Sequence, residues 1–136
     1  MHLSRLKMNS LKTKLEPLFK KEPSIGVVYL YGSYAQGKQS SLSDVDLAIY
    51  FTEQNKVKRH DLLFSISSKI SGVLNTDKTD VSSLNDLEGI ELKYQIISQG
   101  HVIFEREPYR ILIEPSIMNE YFDFKYLLRK YKLTGT

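Results

Sequence analysis

Apolar residues in the first part of the chain fall at helical spacing and then in two continuous runs. Residues 3–20 carry apolar side chains at positions i, i+4, i+7 and i+8, namely Leu11, Leu15, Leu18 and Phe19. This spacing predicts a helix, within which Pro17 indicates a kink or an earlier end. The runs IGVVYLY at 25–31 and VDLAIYF at 45–51 are rich in β-branched and aromatic residues, so both are predicted to be buried strands.

The rest of the chain continues this alternation. The predicted elements are a helix at 57–74, a strand at 78–84, a helix at 86–99, an extended segment at 101–104 and a helix at about 114–133. Asp86 is the expected N-cap of the helix that follows it, and Gly100 is the expected C-cap. The basic run of Lys56, Lys58 and Arg59 is interpreted as a solvated helix surface. Because helices and strands alternate, we expect an α/β (α+β) fold in which helices flank a small mixed sheet.

The C-terminal helix has apolar residues on too many sides for a single buried stripe. Tyr121, Phe124 and Leu128 follow helical spacing and are predicted to face the core. The remaining aromatic and basic residues would then form a surface that suits a partner subunit. Core packing and partner binding both stay open as interpretations of this helix.

Composition narrows the functional classes. A chain of 136 residues is expected to form one domain, 1–136, because it is too short for two ordinary cores. It has no cysteine, which excludes a thiolate metal site and a cysteine nucleophile. No apolar run approaches a membrane span and no signal peptide is visible, so we expect a cytoplasmic protein with no membrane partner. The formal charge of +3 is too mild to predict direct nucleic-acid binding.

Two aspartates stand at the head of the second predicted strand. Side chains alternate along a strand, so Asp44 and Asp46 should share one face while Val45 and Leu47 point into the core. Two neighbouring carboxylates repel each other and raise the pKa of one of them. A divalent cation between them would turn that repulsion into affinity, and hard oxygen ligands suit Mg²⁺.

The turn before this strand and an acid on the next one complete a candidate site. Gly32-Ser33 follows the first strand, where glycine permits close approach of a ligand and a helical turn presents N–H groups to an anion. A third carboxylate is expected on a neighbouring strand, and Asp80 is favoured as third metal ligand and as base for the attacking hydroxyl. Asp77 and Asp86 are less well placed. The alternative for Asp80 is a solvated acid on an edge strand.

In GSYAQGKQSSLSDVDLAIY, a Gly-Ser pair is followed by ten residues and then by Asp-Val-Asp. This resembles the signature of the DNA polymerase β-like nucleotidyltransferases, and most of all the minimal nucleotidyltransferases that serve as antitoxins of HEPN-domain ribonuclease toxins. The resemblance is sharp over 29–51, weaker over 78–104 and loose in the last helix. It implies a polymerase β-like fold and an antitoxin that transfers AMP from ATP to a tyrosine of the toxin.

The resemblance also implies roles for individual residues. Asp44, Asp46 and Asp80 would bind two Mg²⁺ ions, and Gly32 and Ser33 would hold the triphosphate. Lys38 is expected near the phosphates, where it would compensate for Gln36, since many relatives have a basic residue at that position. Ser43 is a further candidate for the nucleotide site, ordering the turn into Asp44.

Two other functions remain open at this stage. The first is nucleotidyl transfer to a small molecule of the aminoglycoside type, with the site completed by dimerisation. The second is a non-catalytic antitoxin that acts by occlusion. The sequence argues against the chain being itself the ribonuclease, because no arginine precedes a histidine by the four to six intervening residues of the HEPN toxin motif.

Overall fold

The computed structural model describes the backbone of residues 2–32 and 44–131, and the side chains of 8–32 and 44–131. The elements in these segments are, in chain order, α1 (His2–Lys20), β1 (Ile25–Tyr31), β2 (Val45–Phe51), α2 (Lys56–Leu74), β3 (Thr79–Ser83), a 3-10 turn (Leu84–Asp86), α3 (Ile90–Gln99), β4 (His101–Glu105) and α4 (Tyr109–Lys130). The expected α/β class is confirmed, and both buried strands have their predicted bounds. Across these segments, no helix has the length and apolar character that crossing a membrane requires.

The four strands form one mixed sheet in the order β3-β2-β1-β4. Strand β1 is antiparallel to both β2 and β4, whereas β2 and β3 are parallel. Helix α2 makes the crossover between the two parallel strands, as such connections usually require. The C-terminal end of β1 and the N-terminal ends of β2 and β3 therefore lie together at one end of the strands.

Each face of the sheet carries its own apolar cluster. On the first face, α1 and α2 cover inward residues of all four strands, with Leu15 and Phe19 of α1 and Ile70 of α2 fully buried. Helix α1 runs through Pro17 and ends only at Lys20. On the second face, α3 and α4 cover a smaller cluster that contains Tyr29.

Two sequence predictions at Asp86 and Arg59 are wrong. Helix α3 begins at Ile90 with Gly89 as its N-cap, so Asp86 does not cap it. Asp86 instead accepts two hydrogen bonds from the Arg59 guanidinium, at 2.7 and 3.0 Å, and one from the Ser83 hydroxyl at 2.6 Å. Arg59 is consequently not part of a solvated face, because its side chain is only 13% exposed. Gly100 does cap the end of α3.

Helix α4 begins at Tyr109, five residues earlier than predicted, and none of its residues is fully buried. Tyr121, Phe124 and Leu128 are half-buried, so the expectation that they enter the core holds only in part. Tyr121 stacks on Tyr94 of α3, with ring centroids 3.9 Å apart and nearly parallel planes. The helix is attached to the sheet by a bond of 2.7 Å that the buried hydroxyl of Tyr29 donates to Glu114.

Candidate active site

The predicted acids and Gly32 lie together at the end of the sheet where β1 ends and β2 and β3 begin. In the parallel ladder Asp46 of β2 lies directly opposite Asp80 of β3, and in the antiparallel ladder it lies opposite Tyr31 of β1. Asp44 precedes the first residue of β2 and is exposed. The structure therefore brings Asp44, Asp46, Asp80 and Gly32 to one place, as the sequence predicted.

Alternation along the strands puts the carboxylates on one face. Val45, Leu47 and Val81 pack in or against the cluster under α1 and α2. Asp46 and Asp80 occupy the intervening positions and so face the opposite side, toward α3 and α4. Asp46 is half-buried and Asp80 is exposed.

The environment of Asp46 disfavours its negative charge. Partial burial raises the pKa of this carboxyl, and the neighbouring carboxylates of Asp80 and Asp44 raise it further. The sequence argument from paired aspartates thus predicted the direction of the shift, although burial contributes most. A bound cation would relieve this repulsion.

Gly32 has the backbone conformation that its position requires. Its φ angle is +75°, in the left-handed region that favours glycine. A Cβ atom at this position would collide with Oδ2 of Asp46. Glycine is therefore needed here both for its φ angle and for the close approach of the turn to the carboxylate.

Tyr31 is a site residue that sequence reasoning missed. Burial raises the pKa of its phenol, and the carboxylates of Asp80 and Asp46 raise it as well, against a hydrogen bond with Ser82 that lowers it. The phenol therefore stays protonated beside the acids and can donate a hydrogen bond. Its place at the end of β1, one residue before Gly32 and opposite Asp46, was the signal that could have identified it.

A cavity of about 220 Å³ opens beside Gly32, between the end of β1 and helix α3. The residues that line it are Tyr31, Gly32, Leu92, Gln95, Ile96, Gln99 and Gly100. Small-molecule sites usually measure about 300–1,000 Å³, so these residues enclose only part of a nucleotide-sized ligand. The two glutamine amides supply polar groups in an otherwise largely apolar wall.

The donor chemistry of the acids fits Mg²⁺, but their side chains do not yet converge. Between residues 2–32 and 44–131, no group of three or more histidine, aspartate or glutamate side chains is arranged to hold a metal ion. Asp44, Asp46 and Asp80 offer hard oxygen donors on adjacent positions, and two of the three are exposed and can rotate. Of the predicted nucleotide-binding residues, Ser33, Lys38 and Ser43 lie outside the described residues.

Comparison with known proteins identifies the family. The family described as "Polymerase beta, Nucleotidyltransferase" matches residues 13–109 of the chain. That match covers more than half of the sequence and includes every acid of the site. The chain belongs to the polymerase β-type nucleotidyltransferase family.

The chain is also similar to individual proteins of known name or structure. Protein adenylyltransferase MntA from Shewanella oneidensis is 30% identical over 79 residues, which cover 57% of this chain and 52% of that protein. The chain thus matches about half the length of this curated relative. A chain from a toxin–antitoxin crystal structure with AMP-PNP superposes with a TM-score of 0.70 at 20% identity, covering 88% of this chain and 94% of that one.

A second solved complex is also similar. It contains the tri-AMPylated Shewanella oneidensis HEPN toxin and an MNT antitoxin, and one of its chains matches with a TM-score of 0.66 at 17% identity. The match covers 91% of this chain and 94% of that one. At these identities the two structures show the fold alone, a four-stranded sheet flanked by helices.

Proposed function

We propose that this protein is an antitoxin that transfers AMP from ATP to a tyrosine hydroxyl of a partner HEPN-domain toxin. The observation that carries the proposal is the alignment of Asp46 with Asp80 across parallel strands, beside the close turn at Gly32. The family supports nucleotidyl transfer, and the relatives named as an adenylyltransferase and as toxin complexes support AMP and a HEPN toxin.

The transfer is a single displacement at phosphorus. The tyrosine oxygen attacks the α-phosphorus of ATP, its bond to phosphorus forms as the bond to the β-phosphate bridging oxygen breaks, and pyrophosphate leaves. The hydroxyl proton passes to a carboxylate, for which we propose Asp80 because it is exposed on the edge strand. Tyr31 would donate a hydrogen bond within the site and help to keep the carboxylates in position.

We also propose that Asp44, Asp46 and Asp80 hold Mg²⁺ when nucleotide is bound. The metal would stabilise the charge of the attacking and leaving oxygens. The raised pKa of Asp46 supports this, since a carboxylate crowded by like charges gains most from a cation. Ser33, Lys38 and Ser43 remain predicted contacts to the nucleotide.

The partner is proposed to dock in part on α4. Several large apolar side chains of this helix are exposed, namely Ile111, Leu112, Met118, Phe122, Tyr126 and Leu127. Exposed apolar surface of this extent on one helix is typical of a protein interface. A protein substrate also fits an active site whose described cavity, beside Gly32, measures only about 220 Å³.

The test is to incubate the protein with ATP, Mg²⁺ and the protein encoded by the adjacent gene, and to measure the intact mass of that protein. We expect a gain of one or more AMP units, which Asp46→Asn and Asp80→Asn should each reduce by at least about 100-fold. Asp77→Asn is the matched control because Asp77 is a nearby exposed acid outside the ladder position of Asp80.

The other outcomes decide between the alternatives. Neutralisation of the toxin without a mass change would favour occlusion and contradict the proposal. AMP transfer to an aminoglycoside but not to the protein would favour the small-molecule enzyme. A loss in Asp77→Asn equal to that in Asp80→Asn would move the third acid from Asp80 to Asp77.

A further inference from the structure

Strand β3 is an edge strand whose outer side is open in the described part of the protein. It pairs with β2 alone. The N–H of Val45 donates to the carbonyl of Lys78 at 2.9 Å, which fixes the phase of the parallel ladder. Because bonding alternates along a strand, the backbone groups of Asp80 face β2, whereas those of Thr79 and Val81 face away from it.

A groove of about 590 Å³ runs beside this edge, between α2 and β3. Its walls include Leu63, Phe64, Ser67, Ser68, Ser71 and Val81. Phe64 is 81% exposed, which is unusual for a phenylalanine on a helix that packs against a sheet. The Ser71 and Thr79 hydroxyls are hydrogen-bonded at 2.8 Å and join the helix to the strand along the groove.

The groove and Asp80 lie on opposite faces of the same strand. Val81 faces the side of α2, and Asp80, one residue earlier, faces the side of α3. A strand added next to β3 would present its side chains alternately to these two faces. One set would fill the groove, and a residue of the other set would lie opposite or next to Asp80, with Cβ atoms about 5 Å apart.

We propose that the acceptor protein docks as an extended segment that adds a strand to β3, with an apolar side chain against Phe64 and the acceptor hydroxyl beside Asp80. This rests on the proposed AMP transfer and specifies how the acceptor reaches the site. It would place the attacking oxygen next to the proposed base without a second domain.

The chemistry of the surface selects an extended peptide. Backbone N–H and C=O groups on an open strand edge are satisfied by another strand, which provides donors and acceptors at the matching spacing. The lining is apolar and hydroxyl-bearing, with His60 as its one titratable side chain among the described residues. It therefore suits the side chains of a peptide better than a phosphate backbone or a polycationic small molecule.

The experiment measures amide hydrogen exchange and AMP transfer in parallel, using the full chain and the protein encoded by the adjacent gene. Complex formation should protect the amides of Thr79 and Val81 by at least about tenfold. Phe64→Ser should raise the KM for the toxin about tenfold with little change in kcat, since its loss removes a buried contact at the interface. Its control is Val57→Ser, because Val57 is 70% exposed on the same helix as Phe64 but does not line the groove.

The outcomes separate the docking mode from the reaction. Protection of Thr79 and Val81 without AMP transfer supports docking and contradicts the proposed function. Transfer without that protection, or an equal KM in Phe64→Ser and wild type, overturns the docking mode alone. Protection that appears in the isolated protein and grows with its concentration overturns it too, because a second copy then occupies the edge.

Discussion

At the scale of single residues, Gly32 connects backbone conformation to the site. Its positive φ and its contact with Asp46 mean that the turn and the carboxylate constrain each other. The Gly-Ser and Asp-x-Asp pairs could be identified from sequence because residue type and spacing mark them: glycine permits the turn, and two aspartates one residue apart share a face of the strand. Tyr31 was missed because its role depends on which strand lies beside it, and the sequence offers only its position next to Gly32 as a signal.

We predict that Gly32→Ala impairs both folding and activity. Alanine in the left-handed region costs about 1–2 kcal/mol, and its Cβ would displace Asp46. Urea denaturation should show this loss of stability, and AMP transfer should fall by more than tenfold. Gly72→Ala is the control, because Gly72 lies within α2 with no atom near its missing Cβ, and it should raise stability by roughly 0.5–1 kcal/mol. Equal stability of Gly32→Ala and wild type would contradict the account of the turn.

At the scale of elements, the pair of Arg59 and Asp86 joins the start of α2 to the 3-10 turn after β3. The two side chains are only 13% and 14% exposed, and the guanidinium also donates to the carbonyls of Glu53 and Gln54. Hydrogen bonds from Arg59 are the main reason that the pKa of Asp86 is lowered to about 2. The pair therefore fixes the position of the parallel crossover that holds β3 beside β2.

We predict that Asp86→Asn lowers the free energy of unfolding by about 2 kcal/mol at pH 7, a typical cost for lost hydrogen bonds between charged groups. The folded pKa of about 2 lies below the ordinary value of 3.8, so the unfolded chain binds the proton more readily. The stabilisation is therefore complete above about pH 5 and is lost as the pH falls toward 2. Urea denaturation across this range should show the wild type and Asp86→Asn converging at low pH.

The matched control for this pair is the ion pair of Glu16 and Lys20 on α1. Its side chains are 38% and 64% exposed, so Glu16→Gln should change stability by less than about 0.5 kcal/mol. A difference between Asp86→Asn and wild type that stays constant from pH 7 to pH 2 would contradict the assignment of Asp86.

Element boundaries divide into those that local pattern decides and those that tertiary contacts decide. The strands at 25–31 and 45–51 were predicted to the residue, because continuous β-branched runs bounded by polar turns leave little choice. The predicted start of α3 was wrong because Asp86, which has the side chain of a helix cap, accepts hydrogen bonds from Arg59 instead. Arg59 lies 27 positions away in the sequence. No periodicity within 84–99 contains that information.

At the scale of the whole molecule, one face of the sheet carries the main apolar core and the other carries the acids of the candidate site. The face under α1 and α2 holds the larger apolar cluster, while the carboxylates lie on the other face at the edge where three strands meet. The fold class followed from the alternation of elements, and the position of Asp46 opposite Asp80 follows from the parallel crossover. The groove beside β3 could not be predicted, because it depends on how α2 lies on the sheet. Exposed aromatic surface on the last helix was one of the two interpretations that the sequence left open, and Phe122 and Tyr126 are exposed.

The same crowding that suits the acids to a cation should destabilise the unliganded protein. Because the folded state raises the pKa of Asp46, the ionised carboxylate opposes folding at neutral pH. Without ligand, Asp46→Asn should therefore be more stable than wild type, by about 1 kcal/mol. In thermal denaturation at pH 7, the melting temperature of the unliganded variant should be the higher of the two.

Addition of Mg²⁺ and a non-hydrolysable ATP analogue should reverse that order. A ligand at 100 times its Kd adds about 2.7 kcal/mol to the stability of the state that binds it. For a domain of this size, that is a rise in Tm of roughly 10 °C. Wild type should show the rise and lose it with EDTA, whereas Asp46→Asn should not respond. Equal shifts in both proteins would mean that nucleotide and metal bind without Asp46, and the site would have to be sought elsewhere on the molecule.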